Sequence, residues 1–299
     1  MKLNGIHHIT AITADAQRNV DFYVSVMGLR LVKKSVNQDD PTVYHLFYGD
    51  EHAKPGLDLT FFEYPGVAPG RAGQGMIHRI VWRVGSPEAL DFWSERLADN
   101  GIESAREGDT LRFADPEGLE HQLLIAEHPE VPAEYALQGF HAVRAYSSDP
   151  ERSRELLEQG LGFESRDEGW EARGDERGGL YLYDEAPAER GLQGAGTVHH
   201  VAWNSADDEH LAWRERVTEH GAHPTQVIDR HYFKSIYFRE PSGVLFELAT
   251  PSPGFTIDEP LETLGEKLSI PPRLEELRPQ IEAAVKPLEN PRTAQRTSA

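Results

Sequence analysis

Four times along the chain, a short run of β-branched and aromatic residues gives way to a stretch whose apolar positions recur every three or four residues. The runs are GIHHITAIT (5–13), MIHRIVWRV (76–84), GFHAVRAYS (139–147) and TVHHVAWNS (197–205). Such residues suit a pleated, half-buried surface, so each run predicts a strand. The following stretches predict helices over Ala16–Met27, Pro87–Asp99, Pro150–Gln159 and Asp208–His220. Their stripes are Val20, Tyr23, Val24 and Met27; Leu90, Trp93 and Leu97; Ser153, Leu156 and Leu157; and Leu211, Arg214 and Val217, with Trp213 beside them. Spacings of three and four put each set on one helical face. Gly28, Gly101, Gly160 and Gly221 are expected to end these helices, since a left-handed C-cap suits glycine.

Further strands follow each helix. They close with PGLDLTFFEYP (55–65), DPEGLEHQLLI (115–125), RGGLYLYDEAP (177–187) and EPSGVLFELAT (240–250). The repeating unit is β-α-β-β-β, present four times, and the fold class is α+β. One unit exposes an apolar sheet face and cannot stand alone, whereas two curled together bury it and form a cup. In chain order, two modules make a first domain over 1–130 and two make a second over 138–250. The polar, proline-bearing linker around Ala126–Gln138 separates them. Residues 251–299 form a charged C-terminal extension, with a short helix expected over Arg273–Val285 and a tail after Pro287. Phe255, at its start, is placed to close the cup.

Composition narrows the chemistry. The 299 residues include no cysteine. That excludes disulfides, thiolate metal sites, iron–sulfur clusters and a cysteine nucleophile, so any metal must rest on histidine and carboxylate. A formal charge of −20 argues against nucleic acid or an anionic membrane as partner. No run approaches the roughly 18 apolar residues of a membrane span, and MKLNGIHHIT carries no leader pattern, so a cytoplasmic protein is expected. Oligomeric state stays open, and a homo-oligomer is compatible with the sequence.

The repeat grammar resembles the vicinal oxygen chelate superfamily over roughly residues 5–250. That superfamily includes glyoxalases, extradiol dioxygenases and antibiotic-binding proteins. The resemblance implies tandem domains of curled mixed sheets, with metal ligands on the first and last strands of a module, facing into the cup. Aligning the modules gives a first-strand column of His8, Arg79, His141 and His200. The last-strand column, six residues after the proline of the turn, reads Phe61, Gln122, no match and Glu247. Modules one and four thus supply His8, His200 and Glu247, and the other two supply no metal set. Two histidines and one carboxylate leave positions open on the ion, as non-haem iron(II) oxygenases require. Fe(II) is the expected metal, and Mn(II) is admissible. Phe61 cannot ligate, which argues against the four-ligand set of a typical glyoxalase I. Glu63, on the same strand, keeps that alternative open.

A closer likeness lies in DRHYFKSIYFREPSGVLFELATPSPGF (229–255), taken with GIHHITAIT, VMGLRLVKKSVNQDD and TVHHVAWN. These segments are similar to the hydroquinone ring-cleaving dioxygenases, which act on para-diols. The likeness implies an aromatic diol and O2 as partners. It implies His8, His200 and Glu247 as iron ligands, with His7, Thr10, His199, Arg230 and Tyr237 around them. His199 would move a proton, Arg230 hold an oxyanion, Tyr237 donate as charge develops, and Thr10 orient a ligand or water. Taken singly, Arg230 would read as a surface ion-pair residue, Tyr237 as a core aromatic and Thr10 as a strand filler. Strand alternation turns His7 and His199 away from the cup if His8 and His200 face it, so a role for that pair requires a bulge, a strong twist or a place at the strand's start. His45 and His121 read as ordinary strand residues, and His231 as a neighbour of the pocket. Three other readings stand beside this one: an extradiol catechol dioxygenase with the same ligands, a glyoxalase-type lyase on zinc or nickel, and a non-catalytic small-molecule-binding protein.

Overall fold

The computed structural model describes residues 1–126, 135–175 and 178–293. Module one contains β1 (Ile6–Thr13), β2 (Arg30–Val36), β3 (Tyr44–Gly49) and β4 (Asp58–Glu63). Module two contains β5 (Ile77–Val84), β6 (Ser104–Glu107), β7 (Thr110–Ala114) and β8 (Glu120–Ile125). Module three contains β9 (Phe140–Tyr146), β10 (Glu164–Arg166), β11 (Gly169–Arg173) and β12 (Gly178–Asp184). Module four contains β13 (Thr197–Asn204), β14 (Ile228–Asp229), β15 (Lys234–Arg239) and β16 (Leu245–Ala249). The proposed linker falls largely outside the described residues.

The predicted helices form, with instructive differences. α1 (Ala16–Val20) starts at Asp15, whose carboxylate accepts from the Arg18 backbone N–H at 3.1 Å. The chain then widens through Asp21–Val26, and the Met27 N–H reaches back five residues to the Phe22 carbonyl at 3.0 Å. This wider turn buries Phe22, Tyr23, Val24 and Val26 together. α2 (Pro87–Asp99) has the expected bounds, capped by Ser86, and α3 (His210–Glu219) is slightly shorter than expected. Module three has a tight turn at Pro150–Ser153 and then a wide turn like module one's, Leu161 N–H to Leu156 carbonyl at 2.8 Å. The extra residue in that turn moves the left-handed position to Gly162 (φ +70°), not Gly160 as expected. Among the described residues, no helix is long and apolar enough to cross a membrane.

The strands build two eight-stranded sheets. One runs β14-β15-β16-β13-β1-β4-β3-β2 and the other β10-β11-β12-β9-β5-β8-β7-β6. Within each module the last strand returns parallel to the first, and first strands of two modules join antiparallel at each sheet's centre. Sheet pairing therefore joins module one to four and two to three. It crosses the chain-order division into 1–130 and 138–250. The helical faces of both sheets share one apolar core. A buried chain of hydrogen bonds crosses it: the Trp82 indole donates to His121 Nδ1 (3.0 Å), His121 Nε2 meets the Tyr23 hydroxyl (3.0 Å), and Tyr23 donates to Asp115 (2.9 Å). His121, expected as an ordinary strand residue, is a fully buried member of this core network.

Register corrects the alignment of columns. Thr10 pairs with Thr60 across β1 and β4, and Ala202 pairs with Glu247 across β13 and β16. Thr10 and Ala202 hold equivalent places, two residues after His8 and His200, so the counterpart of Glu247 is Thr60, not Phe61. Phe61 points to the helical face, with its ring 4.8 Å from that of Tyr23. Glu63 faces the same way and accepts from the Ala16 N–H at 3.0 Å, at the start of α1. In the second sheet the equivalents of His8 and His200 are Arg79 and Ala142. His141 is instead the counterpart of His199.

Four bulges explain the paired histidines. Register slips by one residue at His7, His199, His78 and His141. An inserted residue breaks the two-residue alternation, so neighbouring side chains no longer need to face opposite ways. Of the routes by which His7 and His199 could act, the bulge is present at both positions, and it recurs in all four modules.

The extension wraps the β2 edge of the first sheet. The Ser269 N–H donates to the Lys34 carbonyl at 2.9 Å, which covers an edge that would otherwise offer unpaired backbone. Lys33, fully buried, pairs with Asp258 at 2.6 Å and with Glu259. The expected helix appears as a tight turn over Pro272–Leu277 followed by α4 (Arg278–Ala284). Phe255 packs on Phe47 (5.1 Å) and Tyr232 (5.4 Å), two walls of the cup.

Candidate metal centre

His8, His200 and Glu247 meet at the centre of the first sheet, all buried. β1 and β13 run antiparallel, so the two histidines sit side by side, and β16 brings Glu247 alongside β13. His8 Nε2 lies 3.2 Å and His200 Nε2 2.9 Å from Glu247 Oε2, and the two Nε2 atoms are 3.3 Å apart. Mutually adjacent ligands on an octahedral ion with bonds of about 2.1 Å stand about 3 Å apart, so the spacing fits a facial triad. Glu247 Oε1 is buried without a hydrogen-bond partner.

The bulged histidines stand behind the candidate ligands. His7 Nε2 meets the Thr250 carbonyl at 3.2 Å, and His7 Nδ1 meets His8 Nδ1 at 2.9 Å. A carbonyl only accepts, so His7 Nε2 carries the proton and its Nδ1 accepts from His8. His8 Nε2 is then a bare lone pair facing Glu247. His199 repeats the contact with His200, Nδ1 to Nδ1 at 2.8 Å. Burial, reinforced by His200, pushes His199 down to about 3. Burial also pushes His200 below its ordinary value. For Glu247 burial opposes charge, but the facing imidazoles outweigh it and hold the carboxyl well below its usual range. In the metal-free protein that effect needs protons on the facing Nε2 atoms; a bound cation would replace those protons and take the imidazole lone pairs and the carboxylate together.

A cleft of about 390 Å³, counting its open mouth, leads from His8 and His200 outward. Module one gives it Asn37, Gln38, Asp39, His45, Phe47 and Phe62, and module four gives it Arg230, Tyr232, Phe233 and Tyr237. Arg230 donates to the Tyr237 hydroxyl (3.3 Å) and to Asp39 (3.0 Å), so it bridges the mouth. Burial opposes its charge, but Tyr237 and Asp39 outweigh this and keep it cationic. Burial and then Glu247 push the Tyr237 phenol up, so it keeps its proton to donate. Thr10 is buried on the cup floor, its hydroxyl 2.8 Å from that of Thr60. His7, His199 and Thr10 do not line the cleft.

His45 is the residue that sequence reasoning set aside. It lies between Phe47 (3.9 Å) and Phe62 (4.3 Å), with Nε2 3.0 Å from the Thr60 hydroxyl. Burial first, then the site histidines, push it well below its ordinary value. Alternation could have found it: Tyr44, Leu46 and Tyr48 fill the core, so His45 and Phe47 must share the cup face.

The family model described as "Glyoxalase/Bleomycin resistance protein/Dioxygenase superfamily" matches residues 5–123 and 139–248. The chain belongs to this superfamily. Its relatives in the superfamily include a Bacillus subtilis (strain 168) protein provisionally named ring-cleaving dioxygenase MhqA. The two are 43% identical, over 97% of this chain and 100% of that one. The chlorohydroquinone/hydroquinone 1,2-dioxygenase of Sphingobium indicum is 33% identical, over 94% and 95% of the two chains. A crystal structure from Bacillus subtilis subsp. subtilis str. 168, provisionally described as a dioxygenase, superposes with a TM-score of 0.88. It shares 40% identity over 97% of this chain and 98% of that one. Glyoxalase I from Zea mays shares the superfamily fold (TM-score 0.64, 18% identity, 88% and 97% covered).

Proposed function

We propose that this protein is a ring-cleaving dioxygenase that binds Fe(II) through His8, His200 and Glu247 and opens a hydroquinone-type aromatic diol with O2. The observation that carries the reading is the buried triad with donor atoms 2.9–3.3 Å apart and an open cleft on one side. Full-length relatives named as ring-cleaving enzymes support the same reaction class. A glyoxalase-type set is disfavoured, because the fourth column position is Thr60 and Glu63 faces the helices.

Bound Fe(II) would supply a Lewis acid that favours ionisation of a diol hydroxyl, and a redox centre for dioxygen chemistry. The chain's own residues do the rest. His7 accepts the Nδ1 proton of His8, which fixes its tautomer, and His199 is placed to do the same for His200. His199 stands behind His200, off the cleft wall, so orienting His200 is the work its position fits. Arg230 holds negative charge that develops on the substrate, and Tyr237 donates its proton toward the same region. Phe47, Phe62 and Phe233 pack the ring and exclude water.

The test is anaerobic reconstitution with Fe(II), followed by oxygen uptake with hydroquinones and catechols. Stoichiometric uptake with a hydroquinone, abolished by Glu247→Ala, is expected. Uptake with catechols only would assign the extradiol reaction instead. No uptake by protein that holds iron would refute the dioxygenase reading.

A further inference from the structure

Beyond the triad and its supports, a line of polar groups crosses the cup floor. It starts at Thr10, the cross-strand partner of His200, and passes from Thr10 Oγ1 to Thr60 Oγ1 (2.8 Å) and on to His45 Nε2 (3.0 Å). These residues sit on the neighbouring strands β1, β4 and β3. At about 4.8 Å per strand, His45 is rooted about 10 Å from the ligand strand. The rest of that wall is aromatic, with Phe47 and Phe62 on either side of the imidazole. Nε2 is committed to Thr60, which leaves Nδ1 as the ring atom able to meet a molecule in the cleft.

We infer that His45 receives the second hydroxyl of the substrate and selects para-diols over ortho-diols. The inference rests on the proposed function, with one hydroxyl at the metal. A para-diol then carries its other oxygen across the full width of the ring, toward a wall distant from the triad. A catechol carries it beside the first, within reach of the metal itself, and needs no such wall. The proton between Thr60 and Nε2 can belong to either group, so Nδ1 meets that oxygen as its donor or as the acceptor of its hydroxyl proton. Phe47 and Phe62 hold the imidazole in its plane, and the Thr10–Thr60 pair anchors its Nε2 end.

The test measures anaerobic binding to the Fe(II)-loaded protein by calorimetry, with hydroquinone, 4-methylphenol and catechol as probes. Wild type is expected to bind hydroquinone about tenfold more tightly than 4-methylphenol, the yield of one buried hydrogen bond. His45→Phe should bring the two within about twofold. His45→Gln, which keeps a donor and an acceptor, should retain part of the difference and guards against misfolding of the first variant. A hydroquinone advantage that survives in both variants overturns the assignment. Wild type that takes up oxygen with hydroquinone but binds it no better than 4-methylphenol overturns the assignment of His45 alone. Wild type that binds none of the three phenols overturns the proposed function as well, before any variant is made.

Discussion

Replacing His7 by leucine isolates the tautomer argument. In the native chain the Thr250 carbonyl fixes the proton on His7 Nε2, His7 Nδ1 accepts from His8 Nδ1 at 2.9 Å, and His8 Nε2 is left bare. Leucine fills a similar volume but accepts nothing. The buried His8 Nδ1–H then lacks its partner, at a cost of about 1–3 kcal/mol. His8 can recover by moving its proton to Nε2, which removes a metal ligand. Either route weakens metal binding by the same order, about 10–100-fold, as removal of outer-shell partners generally does. His7→Asn places an amide oxygen near the lost Nδ1 and should restore part of the affinity. The assay is anaerobic titration of the metal-free protein with Fe(II) and Mn(II), with thermal stability as control. If His7→Leu binds both metals as tightly as wild type, the bulged histidine does not set the tautomer and the reasoning fails.

Three further outcomes are expected. Wild type should gain about 2.7 kcal/mol of stability at metal concentrations 100 times its Kd, and Glu247→Ala should gain none; an equal gain in calorimetry would remove Glu247 from the ligand set. Arg144, against a smaller burial penalty and with help from His78, holds the Asp184 carboxyl at about 2, below its ordinary 3.8. The folded value is the lower one, so this stabilisation is complete above about pH 4 and is lost as pH falls through about 2. For this half-exposed pair it amounts to about 1 kcal/mol after solvent screening. Asp184→Asn should flatten stability against pH in that window, as urea unfolding would show. Lys33→Met strands buried Glu259 without its cation, at a cost of about 3–5 kcal/mol. Early protease cleavage within 251–293 should report the loosened extension, and wild-type resistance would argue against the anchor.

Much of this was legible in the chain because the repeat is carried by periodicity. Strand runs and the α2 bounds follow from positions within a module, and the His8, His200 and Glu247 set follows from the superfamily resemblance laid over those positions. What the alignment got wrong was register. Phe61 entered the ligand column because counting from the proline of a turn ignores how many residues precede the strand, whereas hydrogen-bonded pairing puts Thr60 there. His141 entered the His8 column because module three has one histidine where modules one and four have two, and the column set it against the second of each pair, whereas strand pairing makes it the counterpart of the first. His45 was passed over for a related reason. Its face is fixed by alternation, but its value to the site arises only when the sheet curls and brings β3 opposite β15.

The two cups show why residue types, and not the fold, decide where a metal could be held. Both sheets have the same strand order and the same bulged histidines, His7 and His199 in one, His78 and His141 in the other. In the second cup the residues at the ligand positions are Arg79 and Ala142. Arg79 pairs with Glu120 at 2.6 Å, Arg144 pairs with Asp184 at 2.7 Å, and His78 joins Asp184 at 2.7 Å. That cup thus holds side chains of both signs paired with one another, and Arg83 donates to the Gly178 carbonyl at 3.1 Å. In the first cup a buried carboxylate faces imidazole lone pairs, and the permanent cation of the cleft, Arg230, is turned to Asp39 and Tyr237. A buried anion without a fixed cation is costly. Protons on the histidines can neutralise Glu247 only by occupying the atoms that a metal would use. Metal and protons therefore compete for one site, and metal affinity should fall as pH drops.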